Sequence, residues 1–159
     1  MTAWQRGLLE RLMGERAQGH GLEGLKDSIV RELDALLNTR AGLPPGRLAA
    51  WPHARASVLG YGLADFAAFS LASSEDRAAI CASLKAAIER HEPRLVNVSA
   101  TLETATSGVN RLHFTIEATL RMADEDRNGR SLETVHFNAV LQPSSLHYTI
   151  GKAGRPPRG

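Results

Sequence analysis

The chain has 159 residues, of which 43% are hydrophobic and 23% charged, as in a soluble globular protein with one core. With 19 basic and 17 acidic residues and only 5% aromatics, it has neither a basic stripe nor a base-stacking surface, so nucleic acid is not an expected partner. The single cysteine, Cys81, excludes an internal disulfide and favours a reducing compartment. No membrane-spanning stretch or secretory signal is recognised, so we expect a cytoplasmic protein without membrane insertion.

Residues 1–20 are expected to form an N-terminal docking segment. Trp4, Leu8 and Leu12 recur at helical spacing and give a narrow apolar stripe. Glycines after Met13 separate this stripe from the main core, and so short a helix is marginal without a surface to lie on. The segment is therefore predicted to bind another subunit. A helix lying on a membrane surface is the alternative, although interleaved acidic residues weaken attraction to anionic lipid.

Two longer amphipathic helices are predicted further along the chain. The first covers about 25–38 and has a leucine-rich face, with Glu32 among the polar residues of the other side. The second begins after two serines near residue 74 and ends before Pro93, because proline disfavours helical geometry in the preceding residue. A loop rich in glycine and proline, with a short helical turn near residue 65, joins them.

After Pro93 the apolar period changes from 3.6 to 2, which is typical of strands. The predicted strands are Val96–Leu102, Leu112–Leu120, Val135–Leu141 and Leu146–Ile150. Turn-rich stretches separate them, so an antiparallel meander is the simplest topology. Helices packed on its apolar face give an α+β fold in one domain, residues 21–150. The glycines and prolines of residues 151–159 predict a disordered tail.

Neither a metal nor a cofactor is predicted. His113, His136 and His147 share the polar phase of their strands. Simple hairpin registers nevertheless place His136 opposite residues 117–119, and His147 opposite about residue 140. The three side chains therefore do not converge. No histidine or cysteine pair has zinc-site spacing, and no phosphate-binding loop or serine elbow is present in the sequence.

A peptidoglycan hydrolase is the main catalytic alternative, and it requires a pair of carboxyl groups. Glu92 is the candidate acid at the helix-to-strand junction. Arg94 lies two residues away, and a nearby guanidinium disfavours the protonated carboxyl that an acid catalyst needs. Cys81 falls on an apolar stripe, where a thiol is inert. No catalytic residues are therefore predicted.

Four short segments, in order along the chain, resemble one family. They are Leu8–Leu12, Ser28–Ile29 with Leu36–Gly42, Tyr61–Phe66, and Glu92–Leu95 leading into Val96–Val98. Together they resemble TssE, the lysozyme-like wedge subunit of type VI secretion baseplates, and the small wedge proteins of contractile phages. The resemblance implies a structural role beside TssF, TssG and TssK, beneath the TssB/TssC sheath. It assigns no contact to the 46–60 loop.

The resemblance also implies a role for Glu92, Pro93 and Arg94, since this element contacts a helical bundle of larger wedge proteins in the phage relatives. Pro93 stiffens the backbone that presents its two neighbours, and an arginine there suits a bidentate contact. Arg94→Ala is then expected to weaken TssF/TssG association and leave the fold largely intact. The alternative is that Glu92 and Arg94 only pin the helix to the sheet.

A four-stranded sheet is too small to close into a filled barrel, so two open edges are expected. Sheath subunits of the resembling family interlock by exchanging strands, which implies that one edge accepts a strand from the sheath. The last strand is short, and Tyr148 and Thr149 are predicted to set specificity there. The first strand, Val96–Leu102, remains the other possible acceptor.

Overall fold

The computed structural model describes residues 22–44, 46–66, 68–70, 72–103, 111–123 and 130–153. The helices are α1 (Leu22–Leu37), α2 (Pro52–Arg55) and α3 (Ser74–His91), with a 3-10 turn at Val58–Gly60. The strands are β1 (Leu95–Glu103), β2 (Leu112–Ala123), β3 (Arg130–Gln142) and β4 (His147–Lys152). This arrangement confirms the predicted α+β class. The predicted docking segment with Trp4, Leu8 and Leu12 lies outside the described residues, as do residues 154–159.

The four strands form one antiparallel sheet in the order β1-β2-β3-β4, which confirms the meander. β2 and β3 form the longest pair, running from Leu112↔Leu141 to Ala123↔Arg130. Within it Glu117 lies opposite His136, as the simple register predicts. His147 lies opposite Gln142, two residues from the expected position, because β4 pairs closer to its turn.

One face of the sheet is apolar and is covered by α1 and α3. Alternate side chains of the two central strands point into this core and are at most 5% exposed. They are Phe114, Ile116, Ala118, Leu120, Val135, Phe137, Ala139 and Leu141. Each large apolar side chain buried in this way stabilises the fold by about 1.5–3 kcal/mol. The helices contribute Ile29, Leu33, Leu36, Ile80, Leu84 and Ile88 to the same cluster.

Both ends of the sheet differ from the period-2 prediction. In β1 the register shifts between Val96 and Ser99, and Asn97 has φ 52, so Leu95 and Val98 are the buried residues there. Asparagine tolerates this left-handed backbone better than most residues, which allows a bulge at the start of the strand. The tail prediction is wrong at its start, because Gly151 and Lys152 complete β4.

The Tyr61–Gly62 loop is fastened to the exit of α1. Leu63 donates its N–H to the Thr39 carbonyl at 2.8 Å and accepts from the Ala41 N–H at 2.8 Å. Gly62 has φ +110, and a Cβ there would lie 2.5 Å from the Thr39 oxygen. A side chain is therefore excluded both by backbone conformation and by the neighbouring chain.

Gly62→Ala is expected to lower the free energy of unfolding by about 1–3 kcal/mol, because alanine disfavours this positive φ and meets backbone atoms that cannot move freely. Gly42→Ala is the matched control, since nothing lies within 4 Å of a Cβ there. Urea unfolding of both variants measures the difference. Equal stability of the two variants would contradict the close approach at Gly62.

Candidate subunit interface

The junction between α3 and β1 is held by main-chain hydrogen bonds on both sides of Pro93. Glu92 N–H donates to Ile88 O at 2.8 Å, which extends the helical pattern past the end of α3. Arg94 O accepts from Arg121 N–H at 2.8 Å, which ties the junction to β2. Pro93 itself is exposed between these two anchored residues. The backbone that carries the predicted interface element is therefore fixed.

Glu92 and Arg94 form a bidentate ion pair inside the protein. Arg94 Nε lies 2.7 Å from Glu92 Oε1, and Nη2 lies 2.5 Å from Oε2. Arg94 Nη1 also donates to Ser28 Oγ of α1 at 3.0 Å. Both residues are only 2% exposed. The pair therefore joins α3, β1 and α1, which is the internal arrangement that the sequence left as the alternative.

This burial changes the expectation for the predicted interface. The side chains of Glu92 and Arg94 point inward and are engaged with each other, so neither reaches the surface of the isolated chain. Pro93 is the exposed member of the three. A partner contact through the two charged side chains stays a prediction, and it requires the junction to rearrange. Contact through Pro93 and the adjoining backbone requires no such change.

The sequence prediction also misplaced Glu32, which is 5% exposed and lies inside rather than on the polar side of α1. Burial, followed by the carboxylates of Glu32 and Glu92, raises the pKa of Tyr61 to about 12. The junction is thus a buried polar cluster rather than a single ion pair. Ser28, 6% exposed, belongs to it as well. The sequence signal for this cluster is that Ser28 and Glu32 recur on the apolar face of an otherwise leucine-rich helix.

His91 continues this cluster toward the loop. Its Nε2 lies 2.9 Å from Gly60 O, and its ring meets Tyr61 edge-on with centroids 5.3 Å apart. Burial lowers the pKa of His91. The hydrogen bond to the Gly60 carbonyl opposes this shift, and the positive charge of Arg90 adds to it. Because a carbonyl oxygen only accepts, Nε2 carries the proton of this hydrogen bond. The end of α3 is in this way bound to the 58–60 turn.

The edge of β4 is partly occupied by a side chain from the exit of α1. Asn38 Oδ1 accepts from Tyr148 N–H at 2.8 Å, and Asn38 Nδ2 donates to Tyr148 O at 2.9 Å. These are the two hydrogen bonds that a residue of an added strand would form. Further along, Lys152 Nζ lies 2.5 Å from Asp27 and 3.1 Å from Glu23 of α1. The strand edge is therefore attached to α1 at two points.

Tyr148 and Thr149, the predicted specificity residues, lie on opposite faces. The ring of Tyr148 is 3% exposed and packs in the core near Phe114, so it is not a surface contact in this structure. Burial, with a contribution from Cys81, raises the pKa of Tyr148 to about 12. Thr149 is exposed. Of these two residues, only Thr149 has a side chain that an added strand could contact.

The β1 edge is also touched by a helix. Burial raises the pKa of the Cys81 thiol, and a hydrogen bond from the Leu102 backbone opposes this shift. The strand registers also make Leu102 an outward position, because Tyr148 on β4 bonds Asn38 rather than β3 and the alternation continues through β3 and β2 to β1. Hydrogen-bonded and outward positions alternate along a strand, so Ala100 also turns its main-chain groups outward. By the same alternation Ile150 is the next outward position after Tyr148 on β4.

Two sites considered from the sequence find no support in the described part of the chain. No group of three or more histidine, cysteine, aspartate or glutamate side chains is arranged there to hold a metal ion. The carboxylate of Glu92 is bound on both oxygens by Arg94, which leaves it neither exposed nor free to protonate a glycosidic oxygen.

None of the described helices combines the length and apolar content that crossing a membrane requires.

Arg94→Met is expected to lower the free energy of unfolding by about 3–5 kcal/mol, because it leaves the Glu92 carboxylate buried without its cation. The double variant Glu92→Leu/Arg94→Met should recover most of that loss, since it removes both charges. Arg121→Met, on the exposed side of β2, is the control and should change stability by less than about 0.5 kcal/mol. Urea unfolding measures the stability of each variant. A double variant no more stable than Arg94→Met would show that the pair does not act as a unit.

Comparison with known proteins gives one result that bears on this site. The sequence matches the family described as baseplate wedge protein gp25 over residues 23–125, about two thirds of the chain. The matched part spans α1, the intervening loop, α3, β1 and β2, and so includes the buried junction. No curated protein matches the sequence. No solved structure matches it either. The chain belongs to the baseplate wedge protein gp25 family and has a structural role in a baseplate.

Proposed function

We propose that the chain is the TssE-type wedge subunit of a type VI secretion baseplate, joining TssF and TssG to the first ring of the TssB/TssC sheath and helping to nucleate it. TssK is proposed as a further neighbour, and the complex would dock at the cytoplasmic side of the inner membrane. The observation that carries the proposal is the family match over residues 23–125. The four sequence segments that resemble TssE supply the particular secretion system.

A non-catalytic role is part of the proposal. The family is one of baseplate components, and the candidate acid Glu92 is held in a bidentate contact with Arg94 at 2% exposure. A hydrolase acid must approach the glycosidic oxygen and give up a proton to it. A carboxylate whose two oxygens both accept from a guanidinium is suited to positioning the chain. The polar cluster at the junction is therefore proposed to hold the shape of an assembly surface.

Pro93 is the proposed contact toward the larger wedge subunits. It is exposed between two residues whose side chains are buried and whose backbone is bound to α3 and β2. A rigid exposed turn loses little conformational entropy when it binds, which favours a specific contact. Glu92 and Arg94 support this contact from inside. Their direct binding to a partner would follow only from a rearranged junction.

Strand addition at a sheet edge is the proposed link to the sheath. Ile150 on β4 and Ala100 on β1 are outward positions whose main-chain groups face away from the sheet. Asn38 already takes the Tyr148 position, so a strand added at β4 either stops short of Tyr148 or displaces the carboxamide. Main-chain hydrogen bonds would supply affinity, and exposed side chains such as Thr149 would supply specificity.

Proline at the outward position of the edge in use should block sheath polymerisation and leave wedge assembly unchanged, because it removes the N–H that an added strand needs. Ile150→Pro and Ala100→Pro test the two edges against each other. Wedge assembly is measured by mixing each variant with purified TssF/TssG. Sheath formation is measured by electron microscopy after TssB/TssC is added. Folding of each variant is checked by thermal unfolding. Normal sheaths with both folded variants would exclude strand addition.

Deletion of residues 1–16 should spare the fold and impair incorporation into the wedge, because Trp4, Leu8 and Leu12 are proposed to dock on another subunit. Thermal unfolding measures the first effect, and co-purification with TssF/TssG measures the second. A triple variant with serine at the same three positions is the matched control, since it keeps the chain length. Full incorporation of both proteins would refute docking, and flotation of the intact chain with anionic liposomes would support the membrane-surface alternative.

A further inference from the structure

A groove lies between the segment after α1 and the second half of α3. It has a volume of about 340 Å³. One wall is the 41–64 segment, which includes Leu43, Leu48 and Leu59, and the other is α3 with Ser83 and Ala86. Neither the strand edges nor the buried junction form part of it. The groove is large enough for two or three side chains of a bound peptide segment.

Exposed apolar residues are concentrated in the chain segment that forms one wall of this groove. Within the described part of the chain six large hydrophobic residues are exposed, and four of them lie between residues 43 and 59. Trp51 is 67%, Val58 61% and Leu59 56% exposed, and Leu43 is 38% exposed. Exposed apolar side chains that lie together on a surface are typical of protein interaction sites. Leu43 and Leu59 also line the groove itself.

Two arginines give the groove a charge. Arg55 at the end of α2 and Arg90 in the last turn of α3 both line it. Burial lowers the pKa of Arg90, and the positive charge of Arg55, which lines the same groove, adds to the shift. Among the described residues neither guanidinium forms an ion pair. Basic residues at helix C-termini complement the helix dipole, but that does not account for two cations lining the same largely apolar groove.

The wall formed by the loop is held in place before any partner binds. Gly60 O accepts from His91 Nε2 at 2.9 Å, and Leu59 N–H donates to Ser57 Oγ at 3.2 Å. A Cβ on Gly60 would overlap the backbone carbonyl of Arg55, so this turn is closed as tightly as glycine permits. A groove shaped in advance loses less entropy on binding than a mobile loop would.

We propose that this groove binds a segment of another baseplate subunit, with an aspartate or glutamate side chain between Arg55 and Arg90 and aliphatic side chains on either side of it. The carboxylate would accept hydrogen bonds from the two guanidiniums and relieve their repulsion. The flanking aliphatic side chains would cover Leu43 and Leu59. The proposal rests on the proposed function for the source of the segment. It gives a role to a loop for which the sequence supplied none.

The test uses an array of overlapping 15-residue peptides from the large wedge subunits that co-purify with the chain, probed with the purified full-length protein. Bound peptides should carry an acidic residue flanked by leucine, isoleucine or valine. Replacing that residue by its amide should weaken binding roughly tenfold or more in fluorescence anisotropy, because charge-assisted hydrogen bonds are lost. Equal binding of the amide peptide would overturn the proposal.

Matched variants of the protein separate the groove from the general surface. Arg90→Gln and Arg55→Gln should each weaken peptide binding, whereas Lys85→Gln, an equal charge change on the exposed side of α3, should not. Leu59→Ser should weaken binding, whereas Leu132→Ser should not, because Leu132 is exposed on the sheet. If control and groove variants lose binding alike, the attraction is only general charge or apolarity, and the proposal is wrong.

Other occupants of the groove are outcomes of the same experiment. A synthetic peptide of residues 1–16 is included in the array, because it also joins leucines with acidic residues. If it binds and no peptide of the wedge subunits does, the groove receives the chain's own segment and the proposal fails. A chain that enters the wedge normally but binds no peptide refutes the groove alone. A chain that never enters the wedge refutes the proposed function.

Discussion

Arg94 is the cation on which the arrangement of the helices and the sheet depends. Its guanidinium is bound by both oxygens of Glu92 at the end of α3 and also reaches Ser28 on α1, while its carbonyl accepts from β2. A buried arginine is tolerated only when it is paired and hydrogen-bonded in this way. Replacing the Glu92–Arg94 pair by apolar groups would cost little stability. The pair therefore matters mainly for geometry, because it fixes where α3 ends and how the chain enters the sheet.

The same junction explains why the surface features lie where they do. His91 and Tyr61 bind the end of α3 to the 58–60 turn, and this turn forms one wall of the arginine groove. Pro93 is exposed two residues after His91. The proposed contact at Pro93 and the proposed peptide groove are therefore two surfaces of one rigid unit. A partner that strained the junction would alter both.

Patterns of apolar residues were sufficient to predict the sheet order and the single helix-covered core, because alternation in strands and the 3.6 period in helices report which faces are buried. They were insufficient for Glu32 and Tyr148. From sequence alone, Glu32 on α1 is expected to be solvated, because the buried polar cluster around it is not visible. Tyr148 is expected to be exposed, because its neighbours in the core are not known. The Asn38 contact was equally out of reach, since it joins residues 110 positions apart. The only sequence feature that indicates the bulge at residue 97 is the asparagine itself.

The contacts between α1 and β4 also bear on the order in which the chain folds. Asn38 binds Tyr148, and Glu23 binds Lys152 across 129 positions, so the first described helix closes on the last strand. The three hairpin pairings are local by comparison and form with a smaller loss of chain entropy. During synthesis on the ribosome, β4 leaves the exit tunnel after the other three strands. Until then α1 lacks its contacts with β4, and the edge of β3 that β4 later occupies stays unprotected. The growing chain is thus most open to mispairing in the interval between the emergence of β3 and the emergence of β4.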